Sequence, residues 1–307
     1  MNNPAAIDTR RTIAMPGLRD PSLALTPARR GLFLCNRHDV VGVSLVDYGE
    51  WAEPEIALIT ALLRPGDIVI ECGANIGTMT VPMAQAVGLR GTIHALELQP
   101  YFVRLLNANL ALNGIQNVAV REVAIGATDG TMRLPAMSYD RPANFSGLSF
   151  AAAPTDGSGA GRPIPVRPLD GLFRGLTQLR LLKMDIEHME PAALAGAAGL
   201  IGRLQPIVYC DCRTPDGFAA LRARLGALGY RFFWHGFRGY SPANYRGNAV
   251  NRFGAQGDAH LLAWPSGLGE TAPELPPVQD FSDIERLWPG LLGPQRASPA
   301  EGAAASL

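Results

Sequence analysis

Residues 183–190 carry a high density of ionisable side chains for a segment that begins as an apolar strand. They read Lys-Met-Asp-Ile-Glu-His-Met-Glu, and strand geometry predicts that Lys183, Asp185 and Glu187 share one side. A carboxylate or an imidazole held beside a substrate can remove a proton, which typically accelerates a reaction by about 10²–10⁴-fold. Lys183 is also the only lysine among 27 basic residues. This segment is therefore the first candidate for chemistry.

A glycine loop precedes this segment in the chain. Glu71-Cys-Gly-Ala-Asn-Ile-Gly77 follows a short apolar run and precedes a helical pattern that begins at Thr78. Glycine lets a backbone approach a ligand closely, and a helix N-terminus presents free N–H groups. Glu97 follows Gly73 by 24 positions, at the end of the next apolar run. That spacing suits a carboxylate that accepts hydrogen bonds from ribose hydroxyls.

The sequence of the loop also distinguishes between two classes of nucleoside cofactor. Dinucleotide-binding loops read Gly-x-Gly-x-x-Gly, and their middle glycine makes room for a pyrophosphate. Asn75 occupies that position here. S-adenosylmethionine has no phosphate, and carboxylates favour its positive sulfonium, so the loop favours this cofactor over a nicotinamide dinucleotide. The predicted cofactor contacts are Glu71, Gly73, Ala74, Asn75, Gly77, Thr78, Glu97, Leu98, Ala124 and Asp185.

Apolar β-branched runs alternate with helical patterns from residue 68 onward. This alternation predicts an α/β fold, a Rossmann-like doubly wound sheet that is mostly parallel and has helices on both faces. The predicted strands are 68–72, 92–96, 118–123, 181–186, 206–212, 230–235 and 260–264. The predicted helices are 78–87, 100–113, 191–200 and 216–228.

Composition predicts one domain between two loose ends. Residues 1–30 are rich in proline without periodicity and are expected to form a flexible arm, and residues 290–307 are expected to form a disordered tail. Residues 31–289 form the predicted domain. Its segment near 135–165 is too long for an ordinary connection and rich in Gly, Pro, Ser and Asn. Because such an insertion follows a strand's carboxyl end, we expect it to help cover a substrate pocket.

Charge and hydropathy exclude several classes of protein. Lys and Arg total 27, as do Asp and Glu, so the net charge is zero and no electrostatic footprint for nucleic acid exists. No apolar run approaches the ~18 residues of a transmembrane helix, and no apolar region follows Arg10 and Arg11 as in a secretory signal. Four cysteines are too few for a disulfide scaffold. We therefore expect a cytoplasmic protein that acts on a small molecule, with a homodimer left open.

The ordered set of motifs resembles the FkbM-type methyltransferases, a branch of the class I S-adenosylmethionine-dependent enzymes. The resemblance covers roughly residues 48–265, and its motifs include the glycine loop and the 183–190 segment. The others are Tyr-Gly-Glu-Trp at 48–51, Leu-Glu-Leu-Gln-Pro at 96–100, Asn-Ala-Asn-Leu-Ala-Leu-Asn at 107–113 and Arg-Pro-Leu-Asp at 167–170. It implies a seven-stranded sheet whose last strand is antiparallel. It also implies O-methylation of a sugar, a glycolipid or a polyketide-type natural product.

Roles for the ionisable segment follow from this resemblance. We expect Asp185 near the sulfonium and the acceptor oxygen, Glu187 or His188 as the general base, and Lys183 as the group that orients a carboxylate. The structural alternative is an ion-paired turn that closes the sheet. A divalent cation at Asp185, Glu187 and Asp211 is compatible with hard oxygen ligands but is not required, so no metal site is predicted.

Three positions depart from the family pattern, which has Asp at 71, Gly at 188 and Glu at 211. His188 adds bulk and a titrating group, which leaves open a nonenzymatic protein that uses the fold for binding or scaffolding. A second alternative is an NAD-dependent oxidoreductase, which Asn75 disfavours.

Several residues have two interpretations from sequence alone. Tyr48, Glu50 and Glu55 belong either to a lid over the cofactor or to a solvated helix. Residues 144–147 either touch a ligand or form a turn. His260 is expected to be structural.

Overall fold

The structure, a computed structural model, describes residues 20–293, and its centre is a sheet of seven strands. The strands are β1 (Leu23–Ala28), β2 (Gly31–Asn36), β3 (Ile68–Cys72), β4 (Thr92–Glu97), β5 (Val118–Glu122), β6 (Ala124–Ile125), β7 (Gly130–Leu134), β8 (Arg162–Arg167), β9 (Leu181–Met184), β10 (Ile207–Asp211), β11 (Tyr230–Arg238) and β12 (Gly257–Pro265). The helices are α1 (Val40–Tyr48), α2 (Glu53–Leu62), α3 (Thr80–Val87), α4 (Pro100–Leu112), α5 (Leu169–Leu172), α6 (Glu190–Ala195), α7 (Ala198–Leu204), α8 (Pro215–Gly226) and α9 (Asp283–Leu287).

The central sheet has the order β11-β12-β10-β9-β3-β4-β5. Strands β10, β9, β3, β4 and β5 are parallel to one another. The last strand, β12, runs antiparallel to both of its neighbours. The predicted Rossmann-like α/β sheet is therefore confirmed, including its single antiparallel strand.

Helices cover both faces of this sheet because its strands are buried on both sides. One face packs Ile70, Met184 and Leu261 against α6, α7 and α8. The other face packs Val69 and Tyr209 against α2 and α3. The residues that alternate with the first set, including Glu71 and Lys183, therefore lie under α2 and α3.

One predicted helix is in fact two. The helix expected over 191–200 is divided into α6 and α7 around Gly196. A Cβ at Gly196 would lie 2.1 Å from the carbonyl oxygen of Gly126, so the chain passes too close to a neighbouring backbone for a side chain. This tertiary contact has no signature in the helical periodicity.

The flexible arm predicted for residues 1–30 is wrong over its last part. β1 pairs with β2 through a tight turn, and its alternate residues Ala24, Thr26 and Ala28 are buried. The prolines masked this period-2 pattern, although Pro27 is compatible with an edge strand. The tail prediction is likewise wrong at Leu291, which is fully buried in the core. Residues 1–19 and 294–307 lie outside the described part.

The insertion near 135–165 begins and ends at a small second sheet. Strands β7 and β8 pair antiparallel on either side of it, and β6 completes a three-stranded sheet of order β6-β8-β7. The loop is therefore anchored at both ends close to the carboxyl end of β5. Within residues 20–293, no helix combines the length and apolarity needed to cross a bilayer.

Candidate functional site

A cavity of about 240 Å³ opens at the carboxyl ends of β3, β4 and β9. Open α/β sheets bind ligands at this edge. Its walls come from the glycine loop, the ends of β4 and β9, the insertion, and aromatic side chains that include Trp51 and Phe253. Segments that are far apart in the sequence therefore line the same cavity.

The glycine loop forms one wall of the cavity and leaves no room for a side chain at Gly73. Gly73 has φ +85°, and a Cβ there would lie 1.9 Å from the carbonyl oxygen of Asp185. The Gly73 and Ala74 N–H groups donate to the carbonyl oxygen of Leu96 at 2.8 and 3.1 Å. Glycine is therefore required because the loop passes directly over the end of β9.

Glu97 is held in place by two backbone donors. Its Oε2 accepts from the Asn75 N–H at 2.9 Å, and its Oε1 accepts from the Gln99 N–H at 2.8 Å. The side chain is buried, and burial raises its pKa even though these hydrogen bonds act in the opposite direction. Each oxygen keeps acceptor capacity, so this carboxylate can receive two hydroxyl donors from the cavity.

Most of the predicted cofactor residues meet at the cavity. Those that line it are Glu71, Gly73, Ala74, Asn75, Thr78, Glu97, Leu98, Ala124 and Asp185. Gly77 does not line it. It has φ +89°, and a Cβ there would lie 2.7 Å from Cδ1 of Leu106, so its glycine serves the packing of the loop against α4.

Lys183 lies at the floor of the cavity and is almost completely buried. Its Nζ lies 3.4 Å from Oε1 of Glu55 and 3.3 Å from Oδ2 of Asp185. Burial alone would lower the pKa of Lys183, but the charges of Glu55, Asp185 and Glu71 outweigh it and raise the pKa. The ammonium is thus held charged between two carboxylates.

Carboxylates outnumber cations around this lysine. Burial raises the pKa of Glu55 to about 8 and that of Glu71 to about 7, although Lys183 opposes both shifts. Oε2 of Glu71 accepts from Oγ1 of Thr80 at 2.6 Å. Asp185 differs, because Lys183 and other nearby cations overcome its burial and lower its pKa. Asp185 is therefore ionised and faces the cavity with a partly exposed side chain.

A second ionic group lies beside Glu187. Arg213 pairs with Asp211 at 3.0 Å and with Asp258, and Arg213 and Asp258 line the cavity. Burial raises the pKa of Glu187 well above its usual value, with Arg213 acting against the shift and Asp211 reinforcing it. Glu187 also lines the cavity.

The backbone is strained where β9 leaves the sheet. Glu187 and His188 have φ values of +49° and +73°, a left-handed conformation that costs most non-glycine residues about 1–2 kcal/mol each. Strain of this kind concentrates at functional sites. The His188 side chain is exposed and does not line the cavity, so the structure separates it from the other catalytic candidates.

Hydrogen bonds attach the insertion to the cavity. Asp39, the N-cap of α1, accepts from the Ser146 N–H at 2.9 Å and also from its hydroxyl. Gln99 Nε2 donates to the carbonyl oxygen of Phe145 at 3.0 Å, and the Ser149 hydroxyl donates to that of Glu187 at 2.7 Å. The insertion therefore lines the cavity with several residues, among them Asn144, Ser146 and Gly147.

Sequence reasoning missed Glu55 as a partner of Lys183 and missed the neighbour of Glu55, His260. Glu55 was a candidate for a lid or a solvated helix, yet it is buried on the inner face of α2. His260 lies 3.8 Å from Oε1 of Glu55 and is also buried. A glutamate in register with Ile56, Ile59 and Leu62 on one helix face was the available signal.

A comparison with family models identifies the family of the chain. Residues 71–232, just over half of the chain, match the family model described as the methyltransferase FkbM domain. This match confirms the resemblance inferred from the motifs. No curated protein sequence matches the chain at a significant level.

Three solved structures resemble the fold at low identity. Methyltransferase FkbM from Methylobacillus flagellatus KT is 19% identical with a TM-score of 0.43, and the match covers 66% of this chain and 45% of that one. Precorrin-6y C5,15-methyltransferase from Geobacter metallireducens GS-15 is 13% identical with a TM-score of 0.46, over 72% and 97% of the chains. An S-adenosylmethionine-dependent O-methyltransferase from Thermotoga maritima is 18% identical with a TM-score of 0.40, over 71% and 67%. The chain thus spans less than half of the Methylobacillus protein.

Proposed function

Because the chain belongs to the family of FkbM methyltransferase domains, we propose that it transfers a methyl group from S-adenosylmethionine to a hydroxyl oxygen. The proposed acceptors are sugars, glycolipid headgroups and polyketide-type natural products. The observation that carries the proposal is a single cavity with an anchored carboxylate, Glu97, on one side and the group Lys183, Asp185 and Glu187 on the other.

The residues present fit the proposed cofactor. S-adenosylmethionine would supply an activated methyl group on a sulfonium. The acceptor capacity left on Glu97 suits two neighbouring ribose hydroxyls, and Gly73 keeps the loop free of a side chain beside them. Asp185, whose pKa is lowered, is ionised and lines the cavity, and its negative charge favours a positively charged ligand.

In this proposal Asp185 and Glu187 have two different catalytic roles. Asp185, held by Lys183, orients the acceptor hydroxyl near the methyl donor. Glu187 takes the hydroxyl proton, because a carboxylate with a raised pKa is a stronger base near neutral pH. His188 has no catalytic role in this scheme, since its ring lies outside the cavity lining.

Methyl transfer from a labelled donor to a panel of hydroxylated acceptors tests the proposal. Glu187→Gln removes the base, and we expect kcat to fall by about 10²–10⁴-fold. Asp185→Asn is expected to reduce turnover as well, whereas Asp216→Asn, an exposed carboxylate at the start of α8, is expected to leave it unchanged.

Two outcomes would overturn parts of the proposal. Wild-type turnover in both Asp185→Asn and Glu187→Gln would remove the assigned roles. Binding of S-adenosylhomocysteine without transfer to any acceptor would instead favour the nonenzymatic binding protein.

A further inference from the structure

Five buried polar atoms, on four residues that interact electrostatically with Asp185, make no hydrogen bond. They are Oε1 of Glu55, Oε1 of Glu71, Oδ1 of Asp211 and both ring nitrogens of His260. A buried polar atom left without a partner costs about 1–3 kcal/mol. Oε1 of Glu55 still has the Lys183 ammonium 3.4 Å away, whereas the two ring nitrogens of His260 have no hydrogen-bond partner and a bound species would satisfy them.

His260 points most directly to what that species is. Its ring stacks on Tyr209 at 4.7 Å and on Phe237 at 5.7 Å, so the ring faces are packed while the nitrogens at its edge have no partner. Its Nε2 lies 3.8 Å from Oε1 of Glu55, too far for a hydrogen bond. Burial lowers the pKa of His260 well below its usual value, and the neutral imidazole is the form that ligates metal ions.

We propose that Glu55, Asp185 and His260 bind a divalent transition-metal ion at the floor of the cavity. One ligand atom from each residue lies within 4.8 Å of the other two. A point equidistant from three atoms at that spacing lies about 2.8 Å from each, and typical bond lengths of about 2.0–2.2 Å require side-chain movements of less than about 1 Å.

The ligand chemistry narrows the choice of ion. One imidazole with two carboxylates suits Mn²⁺, Fe²⁺, Co²⁺ or Zn²⁺ better than Mg²⁺ or Ca²⁺, which prefer oxygen ligands alone. The set differs from the Asp185, Glu187 and Asp211 group considered from sequence. Within residues 20–293, only the set with Glu55 and His260 brings three ligand atoms together at this spacing.

The position of Lys183 leads to a prediction that is specific to a metal site. Its ammonium contacts the same two carboxylates, at 3.4 and 3.3 Å, and therefore competes with a metal ion for them. Removing that positive charge is expected to strengthen metal binding. If these residues do not bind a metal ion, removal of the Lys183 charge does not produce tighter metal binding.

The metal ion would also reach the acceptor. Glu55 and Asp185 line the cavity, so an ion held by them would lie at its wall. A hydroxyl on a divalent ion loses its proton more readily, which would assist Glu187. This role rests on the proposed function, whereas metal binding does not.

Titration of EDTA-treated protein with Mn²⁺ tests the site. The electron paramagnetic resonance signal reports the concentration of free Mn²⁺ at each point. We expect about one Mn²⁺ per chain in the wild type. His260→Phe keeps the ring stacking, removes both nitrogens and is expected to weaken Mn²⁺ binding at least about tenfold. His94→Phe is the matched control, because His94 lies on the opposite face of the sheet against Phe173.

If His260→Phe does not fold, Lys183→Met provides a second test. This variant is expected to tighten Mn²⁺ binding at least about threefold. No stoichiometric Mn²⁺ binding by the wild type, or equal affinity in wild type and a folded His260→Phe, would overturn the metal site. Calorimetric titration with S-adenosylhomocysteine in EDTA tests the proposed cofactor separately, so the two failures are distinguishable.

Discussion

Glu97→Gln tests the anchored carboxylate with the smallest change in shape. Both oxygens of Glu97 accept backbone N–H groups, at 2.9 and 2.8 Å. The substitution replaces one oxygen by an NH₂ group, which cannot accept from a ribose hydroxyl and opposes one of those N–H donors. A hydrogen bond to a charged group contributes about 1.5–3 kcal/mol, so the affinity for S-adenosylhomocysteine is expected to fall by about 10- to 150-fold.

Glu122→Gln is the matched control for this substitution. Glu122 is the register partner of Glu97 on the neighbouring strand β5, but it pairs with Arg162 and does not line the cavity. Calorimetric titration of both variants with S-adenosylhomocysteine, with thermal melts to confirm folding, gives the comparison. A folded Glu97→Gln variant that binds as tightly as the wild type would refute the proposed role of Glu97.

Four further predictions concern stability and reactivity. His188→Gly relieves a left-handed backbone and is expected to raise the free energy of unfolding by about 1 kcal/mol in urea titrations; a decrease would contradict the strain. Asp39→Ala loses the cap of α1 and its bonds to Ser146, and is expected to cost about 2 kcal/mol, whereas Asp39→Asn keeps an acceptor and should cost less than half as much. All four cysteines are free and buried, and burial raises their pKa values, so none should react with a thiol reagent at pH 8 before denaturation; a reactive thiol in the native protein would contradict this. Burial lowers the pKa of His235 to about 4, so its neutral form stabilises the fold above about pH 6.5 and that stability is lost as the pH falls towards 4. Relative to His235→Phe, the wild type in EDTA should lose about 2.5 kcal/mol between pH 7 and pH 4.5, and equal losses would contradict the shifted pKa.

The part of the fold that carries the chemistry was predictable because its signals are local. β3 begins with the apolar run of residues 68–70, the loop after it needs glycine at Gly73, and Glu97 ends the next strand. Parallel strands bring their carboxyl ends to one edge, so Glu97 and Asp185 were expected at the same cavity although 88 positions separate them.

The missed parts depend on contacts that no local pattern encodes. β1 was hidden by Pro27 within it and Pro21 just before it, and the break at Gly196 coincides with the close approach of the Gly126 backbone. Glu55 meets Lys183 and His260 because α2 packs on the face of the sheet from which Lys183 of β9 and His260 of β12 project. A buried solitary lysine required carboxylate partners, and the position of Glu55 on the apolar face of α2 was the one local sign of which helix supplied one.

Calorimetric titration of the purified protein with S-adenosylhomocysteine, and in parallel with NADH, tests most directly whether this cavity holds a methyl donor. Binding of S-adenosylhomocysteine alone, with a dissociation constant in the micromolar range, is the predicted result. Binding of NADH without binding of S-adenosylhomocysteine would contradict the proposed cofactor and support the oxidoreductase alternative instead.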